Sequence, residues 1–346
     1  MTGPRHTSLT QFLIEERRRF PSATGGFNRL ILDVATACKA IARAVLLVNL
    51  ERDRSEPASE VASRLQAFAG ESFLHFNRDN EALAALLSQE LPAHRLDARG
   101  EHILVVDPLL GAANLDINAP LGSVFSVLRA PSPGRETKDE DFLQKGRNQV
   151  AAGYAFYGPS TMLVLSVGTG VHGFTLDPTF GDFMLTHPAL EVPPETRELS
   201  INSTNSPFWE APVKRYVGEC VGGATGPRGQ EFSMRWVDSV VADAHRLLLR
   251  GGVFLYPFDS RPSKADAQQR LLFGANPIGF LVEQAGGRAT TGHHPLLDVQ
   301  PTDTQQRVPV ILGSRSEVER IERYHADPNT SISTRPLFND VGLFRD

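Results

Sequence analysis

The stretch His102-Ile103-Leu104-Val105-Val106-Asp107-Pro108-Leu109-Leu110-Gly111-Ala112-Ala113-Asn114 is an apolar run that ends on a carboxylate and then turns through proline and glycine. Consecutive apolar residues bounded by turn formers read as a buried strand, Ile103 to Val106. A carboxylate at the end of such a strand sits where a sheet opens into a site, and a turn of this kind can aim backbone N–H groups and short side chains at an anion. Asp-Pro is also an ordinary turn former, so taken alone the stretch marks a place rather than a chemistry.

Outward from it, 346 residues that are 41% apolar and 22% charged suffice for one large or two medium cores and give no compositional sign of disorder. A net charge of −5 and a pI near 6.1 give no electrostatic reason to expect nucleic acid or a membrane surface. A small anionic metabolite or a protein partner fits better. The two cysteines, Cys38 in a helical pattern and Cys220 in an expected loop, form neither a disulfide framework nor a metal-spaced cluster. Met1 to Arg19 lacks the apolar core of a signal peptide, and no run of 18 apolar residues occurs. The expectation is a cytoplasmic α/β protein.

Ser8-Leu9-Thr10-Gln11 has capping-box spacing and predicts a first helix carrying a solvated basic cluster, Arg17 to Arg19. Asn28 is placed to cap a second helix, in which Leu30, Val34, Cys38, Ile41 and Val45 recur at helical spacing. A third helix is expected around Val61, Leu65 and Phe68, and a fourth from Asp79 through Leu83, Leu86 and Leu87, ending near Glu90. Strands follow at Ile103–Val106, Val124–Leu128, Met162–Val167, Val171–Leu176 and Phe183–Thr186. Glu191-Val192-Pro193-Pro194-Glu195 reads as a domain boundary, because its prolines block both helix and ladder. Beyond it lie a helix Ser239–Leu249, a strand Val253–Tyr256, a helix Ile278–Gln284, a strand Val308–Leu312 and a helix Ser316–His325. The tail after Asn329 carries no strong pattern.

Asp107-Pro108-Leu109 with Gly111 and Asn114 resembles the metal-binding signature of class I fructose-1,6-bisphosphatases, Asp-Pro-Leu-Asp-Gly-Ser-Ser-Asn. The likeness extends over almost the whole chain through long strings, among them Gly146-Arg147-Asn148-Gln149-Val150-Ala151-Ala152-Gly153-Tyr154, Tyr157-Gly158-Pro159-Ser160-Thr161-Met162, Val171-His172-Gly173-Phe174-Thr175-Leu176-Asp177-Pro178 and Val282-Glu283-Gln284-Ala285-Gly286-Gly287. The resemblance implies a two-domain layered α/β sandwich of the sugar-phosphatase type. Its expected parts are an N-terminal allosteric-type domain, 1–190, a C-terminal sugar-phosphate domain, 191–334, and a tail, 335–346. It also implies a homodimer or homotetramer.

By the same resemblance, Glu90 and Asp107 and the carbonyl of Leu109 stand at metal positions, but Gln66, Gln89, Leu110 and Gly274 replace Asp, Glu, Asp and Glu. Two carboxylates remain where the family carries six. Mg²⁺ wants a nearly octahedral oxygen shell, so the shell for several ions is short and no cofactor is expected, with Mg²⁺ only if residual family activity persists. Asn202, Arg235, Tyr256 and Arg270 keep sugar-side residue types, whereas Trp236 stands for Tyr, Val240 for Met and Gln268 for a phosphate-binding Lys. In relatives the residue at Arg235 reaches into the neighbouring subunit's site. Leu110, Ala112, Ala113 and Val240 make the former 1-phosphate end apolar. A nucleotide-inhibitor site is half kept: Thr24 and Gly25 match, but Gly26, Glu101 and His102 do not. His75, His94 and His102 lie outside the family strings and read as surface residues.

The expectation is therefore a repurposed, metal-independent enzyme acting on a partly apolar anion, with Glu90 and Asp107 as acid and base. The alternatives are a non-catalytic pseudoenzyme that binds a metabolite or an authentic phosphatase subunit, and a weak fructose-1,6-bisphosphatase.

Overall fold

The structure, a computed structural model, describes residues 7–19, 25–51, 55–237, 239–261 and 268–327. Helix α1 (Leu9–Arg19) starts after Ser8, whose Oγ accepts the Gln11 N–H at 3.3 Å, as the capping spacing predicts. Helix α2 (Gly25–Glu51) begins before Asn28, which does not cap it; Asn28 Nδ2 donates instead to the Leu13 carbonyl at 3.1 Å and ties α2 to α1. Helix α3 (Ala58–Asn77) buries Val61, Leu65, Ala69 and Phe73 along one face.

The fourth helix expected from Asp79 does not form. Leu83–Ser88 is strand β1, buried at every position, and the helices end at Asn77. A short all-apolar run suits either a helix or a strand covered on both faces. Strand β3 (His102–Leu110) decides it by pairing parallel to β1. Strands β2 (His94–Arg95), β4 (Leu121–Arg129), β5 (Gln149–Tyr157), β6 (Thr161–Ser166), β7 (Val171–Asp177) and β8 (Asp182–Leu190) complete a sheet of order β2-β1-β3-β4-β5-β6-β7-β8, antiparallel except at β1–β3.

After an irregular connection that contains Pro193 and Pro194, β9 (Glu198–Ser200) opens a second sheet. It joins β10 (Ser233–Met234), β11 (Val253–Tyr256), β13 (Arg288–Thr290) and β15 (Val310–Gly313) in the order β10-β9-β11-β15-β13, while β12 (Gln269–Arg270) pairs separately with β14 (Arg307–Val308). Its helices are α4 (Ala211–Val221), α5 (Val240–Arg250), α6 (Asn276–Gln284) and α7 (Arg315–Ala326). Cys220 lies in α4 rather than in a loop; both cysteines are buried free thiols.

The cores stack these elements as α/β/α/β/α. Helices α1 to α3 cover one face of the first sheet through Leu30, Val34, Phe73, Leu104 and Phe125. The other face packs Val124, Tyr154 and Val164 against α5, α6 and the second sheet. Helices α4 and α7 close the outer face of the second sheet around Tyr216, Leu255 and Ile321. The layered sandwich is the architecture found. Among the described residues, no helix is long and apolar enough to cross a membrane.

The middle layer contains a testable acid sensitivity. His245 of α5 stacks on Phe156 at 4.5 Å, and its Nδ1 lies 2.9 Å from the hydroxyl of the buried Tyr154. Burial, helped by His187, pushes the imidazole down to about 4. A depressed histidine contributes stability above its unfolded value near 6.5, and that contribution is lost as pH falls towards 4, an effect of roughly 3 kcal/mol. Urea unfolding of the native chain from pH 7 to pH 4 should show that loss, and His245→Gln should flatten it. An equal slope in both proteins would refute the assignment.

Candidate active site

Strand order assembles the acidic half of the site. Because β1 and β3 are parallel neighbours, their C-terminal ends share one edge of the sheet: Gln89 N–H donates to the Val106 carbonyl at 3.0 Å, and Glu90 follows within electrostatic reach of Asp107. Asp107 does not end its strand. β3 runs on through Pro108 to Leu110, and its pairing with β4 is irregular between Asp107 and Leu110, the kind of irregularity that re-aims a side chain. The Pro108 carbonyl is held by Ser123 Oγ at 2.6 Å. Gly111 then takes a φ of +86°, which favours glycine, and starts the short turn Ala112–Asn114.

Asp107 is 3% exposed, and burial pushes its carboxyl up to about 7. The neighbouring charge of Glu90 raises it further, whereas Arg270 and a backbone hydrogen bond at Leu109 oppose the rise. Buried Asp107 thus feels the charge of exposed Glu90 on one hand and of Arg270 on the other.

A Cβ on Gly70 of α3 would meet Glu90 Cβ at 3.8 Å, so α3 packs against the Glu90 loop, and Gln66, one turn earlier, shares that face. Gln66 and Gln89 are both half-buried. Leu271–Ala275, a wide helical turn after β12, packs against β3 and β4 and brings Gly274 and Arg270 to the same edge. A Cβ on Gly274 would find only Gln269 Oε1, at 3.8 Å, so the position has room for a side chain.

The second half is a pocket on the other sheet. It is lined by Asn202, Asn205, Trp236, Tyr256 and Asp259, with Leu255 beneath. Asn202 Oδ1 accepts from Thr204 N–H at 3.2 Å and from Thr204 Oγ1 at 2.6 Å, which uses the oxygen and not the amide NH₂ of this pocket-lining residue. Trp236 stacks on Tyr256 at 6.0 Å. Leu110, Val240, Trp236 and Tyr256 all pack on the core between the sheets, which forms an apolar bridge from the acidic turn to the pocket.

The remaining expected residues are more scattered. Ala112 is buried in the N-terminal core and Ala113 is exposed, so the two do not share a surface with Leu110. The Leu109 side chain is buried. Gln268 is half-buried, with its carbonyl held by Arg307 Nη1 at 2.8 Å. Arg235 follows β10 and is exposed, its N–H bonded to the Leu199 carbonyl at 2.8 Å. At the expected half-site for nucleotide, Thr24 lies outside the described residues, while Gly25 and Gly26 form the first turn of α2. His102 is buried against Phe27 rather than exposed. Arg261 was not anticipated: it pairs with Asp259, bonds Asn205 Oδ1 at 2.8 Å and braces the pocket wall. No motif marks that pair in the sequence beyond the turn residues Asp259-Ser260-Arg261.

The layered α/β fold, with an acidic turn on one sheet and a polar-aromatic pocket on the next, is the architecture that the resemblance in the sequence implies. The family models described as the N-terminal and C-terminal domains of fructose-1-6-bisphosphatase match residues 7–188 and 192–326. The chain is 54% identical to a class 1 fructose-1,6-bisphosphatase of Hydrogenophilus thermoluteolus, over 99% of this chain and 98% of that one. It is 49% identical to a class 1 fructose-1,6-bisphosphatase of Methylibium petroleiphilum, over 100% and 99%. The crystal structure of Leishmania major fructose-1,6-bisphosphatase in holo form superposes with a TM-score of 0.84 at 32% identity, covering 93% of this chain and 100% of that one. The chain belongs to the class 1 fructose-1,6-bisphosphatase family. Relatives this similar along the full length lend no support to the expectation of a repurposed, metal-independent enzyme, or to the expectation that it uses no cofactor.

Proposed function

We propose that the chain is a weak fructose-1,6-bisphosphatase that works with one divalent cation. The observation that carries this reading is the Glu90–Asp107 pair at the parallel strand edge, whose mutual repulsion a cation would relieve. Mg²⁺ or Mn²⁺ is commonly held by one or two carboxylates together with water and substrate phosphate, so Glu90, Asp107 and the Leu109 carbonyl fit a single ion. Further ions fit poorly, because Leu110 offers no side-chain donor, Gly274 has no side chain, and Gln66 and Gln89 bring amide oxygens without charge. When bound, the cation supplies Lewis-acid polarisation of the phosphoryl group.

The chain's own residues do the rest. Arg270 and the Asn202 amide bind and orient the anionic sugar, Tyr256 and Trp236 stack against it, and Leu110 with Val240 excludes water from the reacting end. In this reading residues 1–190 carry the acidic turn and 191–334 the sugar pocket. Phosphate release from fructose 1,6-bisphosphate should require Mg²⁺ or Mn²⁺, stop on chelation, and rise with metal at a Hill coefficient near 1. A coefficient near 2, or release that survives chelation, would contradict the single-ion site.

A second reading rests on the apolar bridge of Leu110, Val240 and Trp236, which suits an anion carrying a hydrocarbon group. It predicts metal-independent binding or turnover of such an anion and no hydrolysis of fructose 1,6-bisphosphate. Under either reading, exposed Arg235 completes the site of a neighbouring subunit, so we expect a homodimer or homotetramer. Light scattering at micromolar concentration checks this, and a lone 37.9 kDa species would refute it.

A further inference from the structure

We propose that Glu210, His293 and His325 form a Zn²⁺ site in the C-terminal half, apart from the residues assigned to catalysis. One ligand atom from each residue lies within 4.8 Å of the others. The three come from elements distant in sequence. Glu210 precedes α4, His293 lies in the loop after β13, and His325 is in the last turn of α7.

Glu210 occupies the position before a helix but makes no side-chain cap, and its Oε1 lies 3.2 Å from His293 Nε2. The two imidazoles meet edge to face, with centroids 4.7 Å apart. The Glu–His contact leaves His325 over: its Nε2 is buried and meets no hydrogen-bond partner among the described residues. Gly292 makes this crowding possible. Its φ is +97°, and a Cβ there would come within 3.0 Å of His325 Nε2 and Cε1.

Two imidazole nitrogens and one carboxylate oxygen form a donor set of borderline softness that suits Zn²⁺ better than Mg²⁺ or Ca²⁺. With Zn–N and Zn–O bonds near 2.0–2.1 Å, tetrahedral ligand atoms sit roughly 3.3 Å apart. The Glu210–His293 separation is already close to that value, and His325 has to move to shorten the two remaining edges, neither of which exceeds 4.8 Å. Water takes the fourth position, since His293 is 53% exposed in this pair. The ion would pin the end of α7 to the start of α4.

The test is Zn²⁺ titration of the chelator-stripped full chain by calorimetry, with Co²⁺ absorbance as a report on tetrahedral coordination. With Asp107→Asn removing the cation position at the acidic turn, one equivalent should still bind at micromolar or tighter affinity and raise the melting temperature by several degrees. His325→Ala and His293→Ala should each weaken that equivalent at least about tenfold and remove the thermal shift. The exposed His293 makes His293→Ala the variant whose folding is safe. Unchanged stoichiometry and affinity in both variants, or no binding tighter than millimolar, would overturn the proposal.

Discussion

Restoring four donors together, by Gln66→Asp, Gln89→Glu, Leu110→Asp and Gly274→Glu, should raise Mg²⁺-dependent hydrolysis of fructose 1,6-bisphosphate by about 10²–10⁴-fold in kcat/KM. The backbone is in place for this: Gln66 is on the α3 face that packs against the Glu90 loop, Gln89 N–H is bonded to the Val106 carbonyl just after β1, and a Cβ on buried Gly274 makes no contact closer than 3.8 Å. Leu110→Asp alone should fail. It adds a third carboxylate beside Glu90 and Asp107 with Arg270 as the cationic neighbour, and it cuts into the apolar bridge with Val240 and Trp236. The single variant should therefore melt at lower temperature and gain less than about tenfold in rate. Strong Mg²⁺-dependent turnover by Leu110→Asp alone would show that one donor, not four, limits the enzyme.

Asp107→Asn should separate activity from stability. Asparagine keeps the shape and an acceptor for the backbone at Leu109, but it removes the buried charge that holds the cation. Hydrolysis should fall at least about 100-fold. In metal-free buffer the fold should nevertheless gain. A carboxyl raised from 3.8 to about 7 contributes stability in its protonated form below the unfolded value, and that contribution is lost as pH rises through 7. The variant does not titrate there. Its advantage over the native chain should thus grow by up to about 4 kcal/mol between pH 4 and pH 8. Paired urea melts across that range check it, and a difference constant with pH would contradict the placement of Asp107 in a desolvated, like-charged setting.

The parts of this architecture that were legible in the sequence carry a period or a cap. Ser8 before α1, the apolar face of α3, Ser239 before α5 and the strands β6 to β8 declare themselves through local chemistry. Leu83 to Ser88 did not, because a strand buried on both faces has no alternation and its short apolar run mimics a helix; only the parallel partner β3 resolves it. Strand β5, rich in alanine and glycine, has a weak period of its own and is held by β4 and β6. Helix α4 hid behind Pro212, a residue that breaks helices inside and is tolerated in the first turn.

At the site, Asp107 and Leu110 fall inside a recognisable turn, whereas the expectations at Gln66, Gln89 and Gly274 rest on the resemblance alone. The electrostatic pairing of Glu90, Asp107 and Arg270 needed the fold, because it depends on which strand ends share an edge. The Asp259–Arg261 brace and the Glu210–His293–His325 cluster were beyond reach for the same reason. Their geometry comes from tertiary contact, and no spacing rule links positions 210, 293 and 325.

The central claim is that the native chain retains the family's reaction on a donor-poor site. The direct measurement is kcat/KM for fructose 1,6-bisphosphate with saturating Mg²⁺, assayed side by side with the Hydrogenophilus thermoluteolus relative. The account predicts chelator-sensitive turnover about 10²–10⁴-fold below that of the relative. Turnover within tenfold of it, or none above the metal-free blank, would contradict the account.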